Sequence, residues 1–176
     1  MAEIQNINEK TVEDLFFPCR ECVYWEAPTK CGDITGDEAF TIKKEWFSQT
    51  QKTFGECGKL LYRDGDPRGY AQYCPSDHLE NAREYSRFIP ASRDALLLSC
   101  LYVKEGSRKK GIGTLICAAV IDELKERGYH AVETYSRDDS SNNCSGPTDF
   151  YLKNGFTVLR AKKWGSVPFS LVRREF

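Results

Sequence analysis

Apolar positions along this chain change their period several times, and each change marks the boundary of an element. Val12, Leu15, Phe16, Cys19 and Val23 recur at helical spacing behind Thr11-Val12-Glu13-Asp14, a hydroxyl cap followed by acids, and predict a first helix. A second helical face, with Ile42, Trp46, Phe47 and Phe54, runs from Asp37 to Phe54 and stops at Gly55. The period then shortens. Gly58 to Arg63 and Arg68 to Tyr73 flank Asp64-Gly65-Asp66-Pro67, which predicts a hairpin. Pro75-Ser76-Asp77 opens a short polar helix reaching about Phe88. Ala95 to Val103 is almost continuously apolar, as expected of a buried strand. Helical spacing returns from Gly111 to Arg127, with Ile112, Leu115, Ile116, Ala119, Val120 and Leu124 on one side and Gly128 as the stop. His130 to Tyr135 reads as a strand, Pro147 opens a short helix to Asn154, and Phe156 to Arg160 and Val167 to Arg173 read as closing strands. This order predicts an α/β domain in the broad sense, with helices around one central sheet.

Composition narrows what such a domain does. At 176 residues with 40% hydrophobic and 29% charged side chains, the chain fits one self-supporting core and excludes disorder. Its 25 basic and 26 acidic residues leave a net charge of -1, so no global field gathers nucleic acid or an anionic membrane. No apolar run approaches the roughly 18 residues of a membrane span, and the N-terminus lacks the basic and apolar blocks of a signal peptide. The expectation is a cytoplasmic protein whose eight cysteines are reduced. Cys19-x-x-Cys22, with Cys31 and Cys57 beyond it, could offer four thiolates to zinc. A single CxxC without a second pair or a nearby histidine favours core packing instead, so no metal is expected.

The segment from Leu101 to Thr114, Leu-Tyr-Val-Lys-Glu-Gly-Ser-Arg-Lys-Lys-Gly-Ile-Gly-Thr, carries the chemistry. A buried strand ends, a basic loop follows, and an amphipathic helix opens at its glycines. Amides in such a first turn lack intrahelical partners and, with the helix dipole, form an anion site. Gly111 and Gly113 are expected to let phosphates approach the backbone, with Arg108, Lys109 and Lys110 adding charge of the right sign. A tight turn with solvated basic residues is the plainer alternative. A P-loop would need Gly-Lys-Ser/Thr, which is absent, and the dinucleotide fingerprint would need a small residue where Ile116 stands.

Arg108-x-x-Gly111-x-Gly113, following a strand that ends Leu101-Tyr102-Val103, resembles the GCN5-related N-acetyltransferase (GNAT) superfamily. Gly69-Tyr70-Ala71 looks like that family's third strand, and Phe150 to Phe156 like its late helix and following strand. The resemblance implies one domain over residues 1–176. Residues 1–55 form its divergent N-terminal helical part and residues 95–159 its acetyl-CoA-binding core, around a mixed, mostly antiparallel sheet. It also implies transfer of acetyl from acetyl-CoA to an amine, on a small molecule or a peptide, by direct attack on the thioester. Lys109, Lys110, Gly111, Ile112, Gly113 and Thr114 would supply the pyrophosphate cradle, Arg108 would assist, and Leu101 and Val103 would meet the acetyl and pantetheine groups through their backbone. Dimers are common in the family, so a homodimer is compatible with it.

Tyr151 matches the family's frequent general acid, and an ordinary tyrosine pKa near 10 keeps its proton available at neutral pH. Packing of its ring in the late helix is the alternative. Asn143 roughly matches a residue that contacts the pantetheine arm, although Asp138 to Asn143 looks like an insertion. The strand from Leu96 to Val103 lacks the carboxylate that many members use as a base. Glu133 is the substitute, because alternation places it on one face with Ala131 and Tyr135. That missing carboxylate motivates a second reading, a non-catalytic acyl-CoA-binding module. A third reading, a redox or zinc-linked regulator, rests on the cysteines alone. Cys144 is a weaker candidate for a transient acetyl carrier. No motif names the acceptor.

Overall fold

The structure, a computed structural model, describes residues 1–139 and 146–176. Asn143 and Cys144 lie outside the described residues. A seven-stranded sheet in the order β1-β2-β3-β4-β5-β7-β6 runs through the described residues. Its strands are β1 (Ala2–Asn6), β2 (Gly58–Arg63), β3 (Asp66–Cys74), β4 (Leu96–Val103), β5 (Ala131–Arg137), β6 (Thr157–Trp164) and β7 (Val167–Glu175). Every neighbouring pair is antiparallel except β4 and β5. The helices are α1 (Gly36–Thr53), α2 (Ala82–Ser86), α3 (Ile112–Glu126) and α4 (Thr148–Lys153). The expected mixed, mostly antiparallel sheet flanked by helices is therefore observed.

Two elements differ from expectation. The first helix does not form: Thr11–Asp14 and Cys19–Glu21 are separate 3-10 turns. Pro18 stands inside the predicted helix, where it removes an N–H donor and crowds the preceding turn. The predicted apolar face is nonetheless buried, with Val12, Leu15, Phe16, Cys19 and Val23 all in the core. The polar helix after Pro75 is likewise broken into a 3-10 turn, Ser76–His78, and α2, because Leu79 takes an extended conformation and enters the core. Strand β1 had no sequence signal. Ala2–Asn6 is short and polar, and it is ordered by its ladder to β2, with Ile4 opposite Leu61.

Apolar clusters cover both faces of the sheet. One holds Phe40 and Phe47 of α1 together with Tyr70, Cys100, Tyr135 and Phe169. The other sets Ile112, Ile116 and Val120 of α3 against Leu61, Leu98 and Val132. α1 begins with a reciprocal capping box between Thr35 and Glu38, which satisfies donors at its N-terminus.

Two irregularities of β4 shape what lies at its end. Gln72 pairs with Cys100 and Tyr73 with Leu98, so Ser99 is an extra residue, a β-bulge. Its hydroxyl donates to the Gln72 carbonyl at 3.1 Å. The bulge restarts the alternation, so Leu98 and Leu101 both face the α3 side while Leu97 and Cys100 face the α1 side. Second, β4 pairs with β5 only at Leu96–Val132 and Leu97–Glu133. Beyond Leu97 the two strands diverge, and β4 presents unpaired backbone toward the gap.

Candidate active site

The chain leaves β4 through a 3-10 turn, Glu105–Ser107, and enters α3 by two left-handed residues, Lys109 at φ 59° and Gly111 at φ 78°. Alternating backbone handedness of this kind turns successive N–H groups toward one point and builds an anion nest. Unlike α1, α3 has no side-chain cap at its N-terminus, so the amides of its first turn are left to an external acceptor. A Cβ on Gly111 would meet no atom within 4 Å. Its requirement is therefore conformational, and the space above it is open.

That turn forms one wall of a cleft of about 630 Å³ between the end of β4, the loop and α4. Leu101 and Val103 line the strand side. Arg108, Lys109 and Gly111 to Thr114 line the loop and helix side, and Tyr151 lines the α4 side. Nine of the residues picked from the sequence are thus brought together. Arg108 is more specific than a loose phosphate contact: its Nε donates to the Val103 carbonyl at 3.0 Å, and its guanidinium lies 5.2 Å from the Tyr102 ring centre. This bond fastens the loop to the strand end.

Three expectations need adjustment. Gly113 has a packing requirement of its own, because a Cβ there would come within 3.0 Å of the Phe150 ring. Its role is to let α3 approach α4. The Lys110 ammonium turns out of the cleft and donates to the Gly106 carbonyl at 3.0 Å. Glu133 does share a face with Tyr135, but it is fully buried, 3.0 Å from Arg173, and accepts from the Ser92 N–H at 2.8 Å. It stands where β4 and β5 are still paired, so it does not line the cleft. Asp138 is the carboxylate at the cleft, and it accepts from the Thr148 N–H and hydroxyl at 2.9 and 2.8 Å, capping α4. Tyr151 is fully buried, its ring edge-on to Phe150 and Phe156.

Among the described residues no three histidines, cysteines or acids are placed to hold a metal. Cys19, Cys57, Cys74, Cys100 and Cys117 are buried, Cys22 is half-buried and Cys31 is exposed. Burial pushes the Cys22 and Cys117 thiols up to about 11 and Cys57 to about 12.

Sequence reasoning missed a second recess, of about 360 Å³, on the opposite face of β5. Alternation sends Asp138 to the first cleft and Arg137 to this one. Tyr24, Tyr85, Trp164, Val167 and Phe169 complete it. Tyr24 and Tyr85 place their hydroxyls 2.8 Å apart, and Arg137 donates to them at 3.3 and 3.5 Å. Arg137 also forms a bidentate pair with Asp139 at 2.9 and 2.8 Å. Asn81 secures the recess by tying α2 to the early turns through the carbonyls of Tyr24 and Trp25. The alternation of β5 could have announced Arg137, whereas the aromatic walls come from segments far apart in sequence.

Residues 14–156 match the model of the Acetyltransferase (GNAT) family. Known structures share the fold. An N-acetyltransferase (PaiA) of Thermoplasma acidophilum in complex with coenzyme A is 17% identical, covers 100% of this chain and 99% of its own, and superposes with a TM-score of 0.63. Ribosomal-protein-alanine N-acetyltransferase from Brucella melitensis is 20% identical over 99% of both chains, with a TM-score of 0.64. A GNAT-family acetyltransferase of Streptococcus pneumoniae is 12% identical over 99% of both chains, with a TM-score of 0.66. No curated protein sequence matches the chain significantly.

Proposed function

Because this chain belongs to the acetyltransferase (GNAT) family, we propose that the cleft beside α3 binds acetyl-CoA and that the protein transfers its acetyl group to an amine. When bound, acetyl-CoA supplies an acyl group activated as a thioester. The observation that carries the reading is the coincidence of three features in one cleft: an uncapped helix start with a left-handed entry, an unpaired strand edge, and Tyr151. The nest from Lys109 to Thr114 would hold the pyrophosphate through backbone N–H groups. The free β4 edge from Leu101 to Val103 would orient the pantetheine arm and present an N–H to the oxyanion of the tetrahedral intermediate. Tyr151 would protonate the departing thiolate. Residues 1–176 would act as one domain, with 95–159 as the acetyl-CoA-binding core.

The amine must arrive neutral, and the carboxylates at hand are committed: Glu133 to Arg173, and Asp138 to the α4 cap. That commitment favours the alternative of a CoA-binding module without turnover, and one experiment separates the two. Acetyl-CoA should raise the melting temperature, by the equivalent of about 2.7 kcal/mol at a hundredfold excess over Kd. Gly111→Val should lose that shift. Release of free CoA thiol in the presence of pooled amines supports the enzyme, and binding without release supports the module. No shift at millimolar acetyl-CoA overturns both.

A further inference from the structure

We infer that the open edge of β6 is a docking strand for another polypeptide, and that the partner it fits is an extended segment rich in acidic residues. The inference is independent of acetyl transfer and concerns a strand that does not line the α3 cleft.

The backbone supplies the first argument. β6 is the last strand of the sheet, so one of its sides pairs with β7 and the other pairs with nothing among the described residues. Gly165 and Ser166 form a two-residue turn with Gly165 at φ 60°, so the closing pair, Trp164 with Val167, is a hydrogen-bonded one. Alternation along an antiparallel ladder makes Lys162–Phe169 hydrogen-bonded as well, and Lys163–Pro168 and Ala161–Ser170 not. Pro168 agrees with that parity, because it has no N–H to give. Ala161 and Lys163 therefore direct their backbone N–H and C=O groups away from β7, toward the open side. An added strand bonds to such groups.

Charge decides the occupant. All eight residues of β6 are exposed, and the strand contains Arg160, Lys162 and Lys163 but no acid. Among the described residues none of these three cations has an ion pair or a side-chain hydrogen bond. A second copy is a poor partner. Two β6 edges paired antiparallel about Ala161 would set Arg160 opposite Lys162, and like charges face to face are destabilising. Cations on an edge keep it from pairing with itself, and the same cations attract an acidic strand. Alternation puts Arg160 and Lys162 on one face and Lys163 on the other, so the partner carries acids on both of its faces. Val158 and Leu159, each 45% exposed, and partly exposed Trp164 leave apolar surface for its remaining side chains. A nucleic acid would engage the cations but has no strand ladder to offer the backbone.

The test is fluorescence anisotropy of the labelled peptide Thr-Glu-Glu-Val-Glu-Val-Ile. Run antiparallel to β6, it sets its glutamates opposite Lys163, Lys162 and Arg160. It should bind the whole protein, more weakly as salt is raised, while the same peptide with lysine at the three glutamates should not bind. Lys162→Glu combined with Lys163→Glu should weaken binding by about 10-fold or more. Ala161→Pro should abolish binding with the melting temperature little changed, because the N–H it removes faces outward from an edge strand. N-methylation of the peptide's central valine, opposite Ala161, should abolish binding to the unaltered protein, which keeps the test independent of how the variant folds. Absence of binding overturns the inference, as does binding indifferent to N-methylation or tighter binding of oligouridylate than of the peptide. A dimer in sedimentation that Ala161→Pro dissociates would give the edge to a second copy and overturn it too.

Discussion

A Cβ on Gly113 would stand 3.0 Å from the Phe150 ring, so the first turn of α3 reaches α4 only because position 113 carries no side chain. Gly113→Val should therefore cost about 1–3 kcal/mol of stability, the usual penalty of overpacking. Urea unfolding would show it. Adding Phe150→Ala should return part of the loss, because the two positions share one contact. A strictly additive double mutant would show that the contact is not the cause.

Tyr151→Phe keeps the ring that packs on Phe150 and Phe156 and deletes the phenolic proton. Acetyl-CoA binding should persist, and kcat should fall by about 10²-fold or more if the proton goes to the departing thiolate. The fall should appear equally in kcat/KM. An unchanged rate under conditions where chemistry limits turnover would leave Tyr151 a packing residue only.

Lys43 and Glu26 form a buried pair at 2.8 Å beneath α1. Burial works against the Lys43 charge, but the Glu26 carboxylate together with Cys22 and Cys100 offsets it, so the ammonium is held above its ordinary range. The folded pKa exceeds the unfolded one, so the pair's contribution is complete below about pH 10 and is lost as pH rises through the folded value. Glu26→Gln should cost about 3–5 kcal/mol at neutral pH, because it strands a buried charge. Lys43→Met combined with Glu26→Leu should recover most of that. Chemical denaturation of the single and double variants at pH 7 checks the two stability statements.

Thiol chemistry should be ordered by exposure. Cys31 is exposed, whereas burial raises Cys22 and Cys117 to about 11 and Cys57 to about 12. Thiolate is the reactive form. Alkylation of the native protein followed by peptide mapping should label Cys31 well before Cys22, and Cys57 and Cys117 only on unfolding. Early labelling of Cys57 would contradict the packing described.

The cleft beside α3 was legible because its signals are local. A buried strand, a basic turn, two glycines and an amphipathic helix occupy consecutive residues from Leu96 to Glu126, and their periods translate directly into geometry. Gly113 stands out by its type, but its packing requirement does not, since the ring it accommodates is 37 positions downstream. Burial of Val12, Leu15, Phe16, Cys19 and Val23 was readable while their helix was not, because Pro18 changes the backbone without changing which side chains are apolar. Glu133 shows the opposite limit: its face followed from alternation, but its partner Arg173 lies 40 residues away. The aromatic recess depends entirely on such distant meetings, between Tyr24, Tyr85, Arg137 and Trp164.

The extra residue at Ser99 gives β4 a parity. Before it, even-numbered side chains face α3; after it, odd-numbered ones do. No substitution between Cys100 and Val103 can alter that assignment, and deleting Ser99 would only restore a regular ladder, whereas inserting one residue between Cys100 and Leu101 would exchange inside for outside along the rest of the strand. Leu101 and Val103 would then point toward α1, and the loop beginning at Lys104 would start from the wrong side. The end of this strand therefore tolerates changes of letter far better than changes of length.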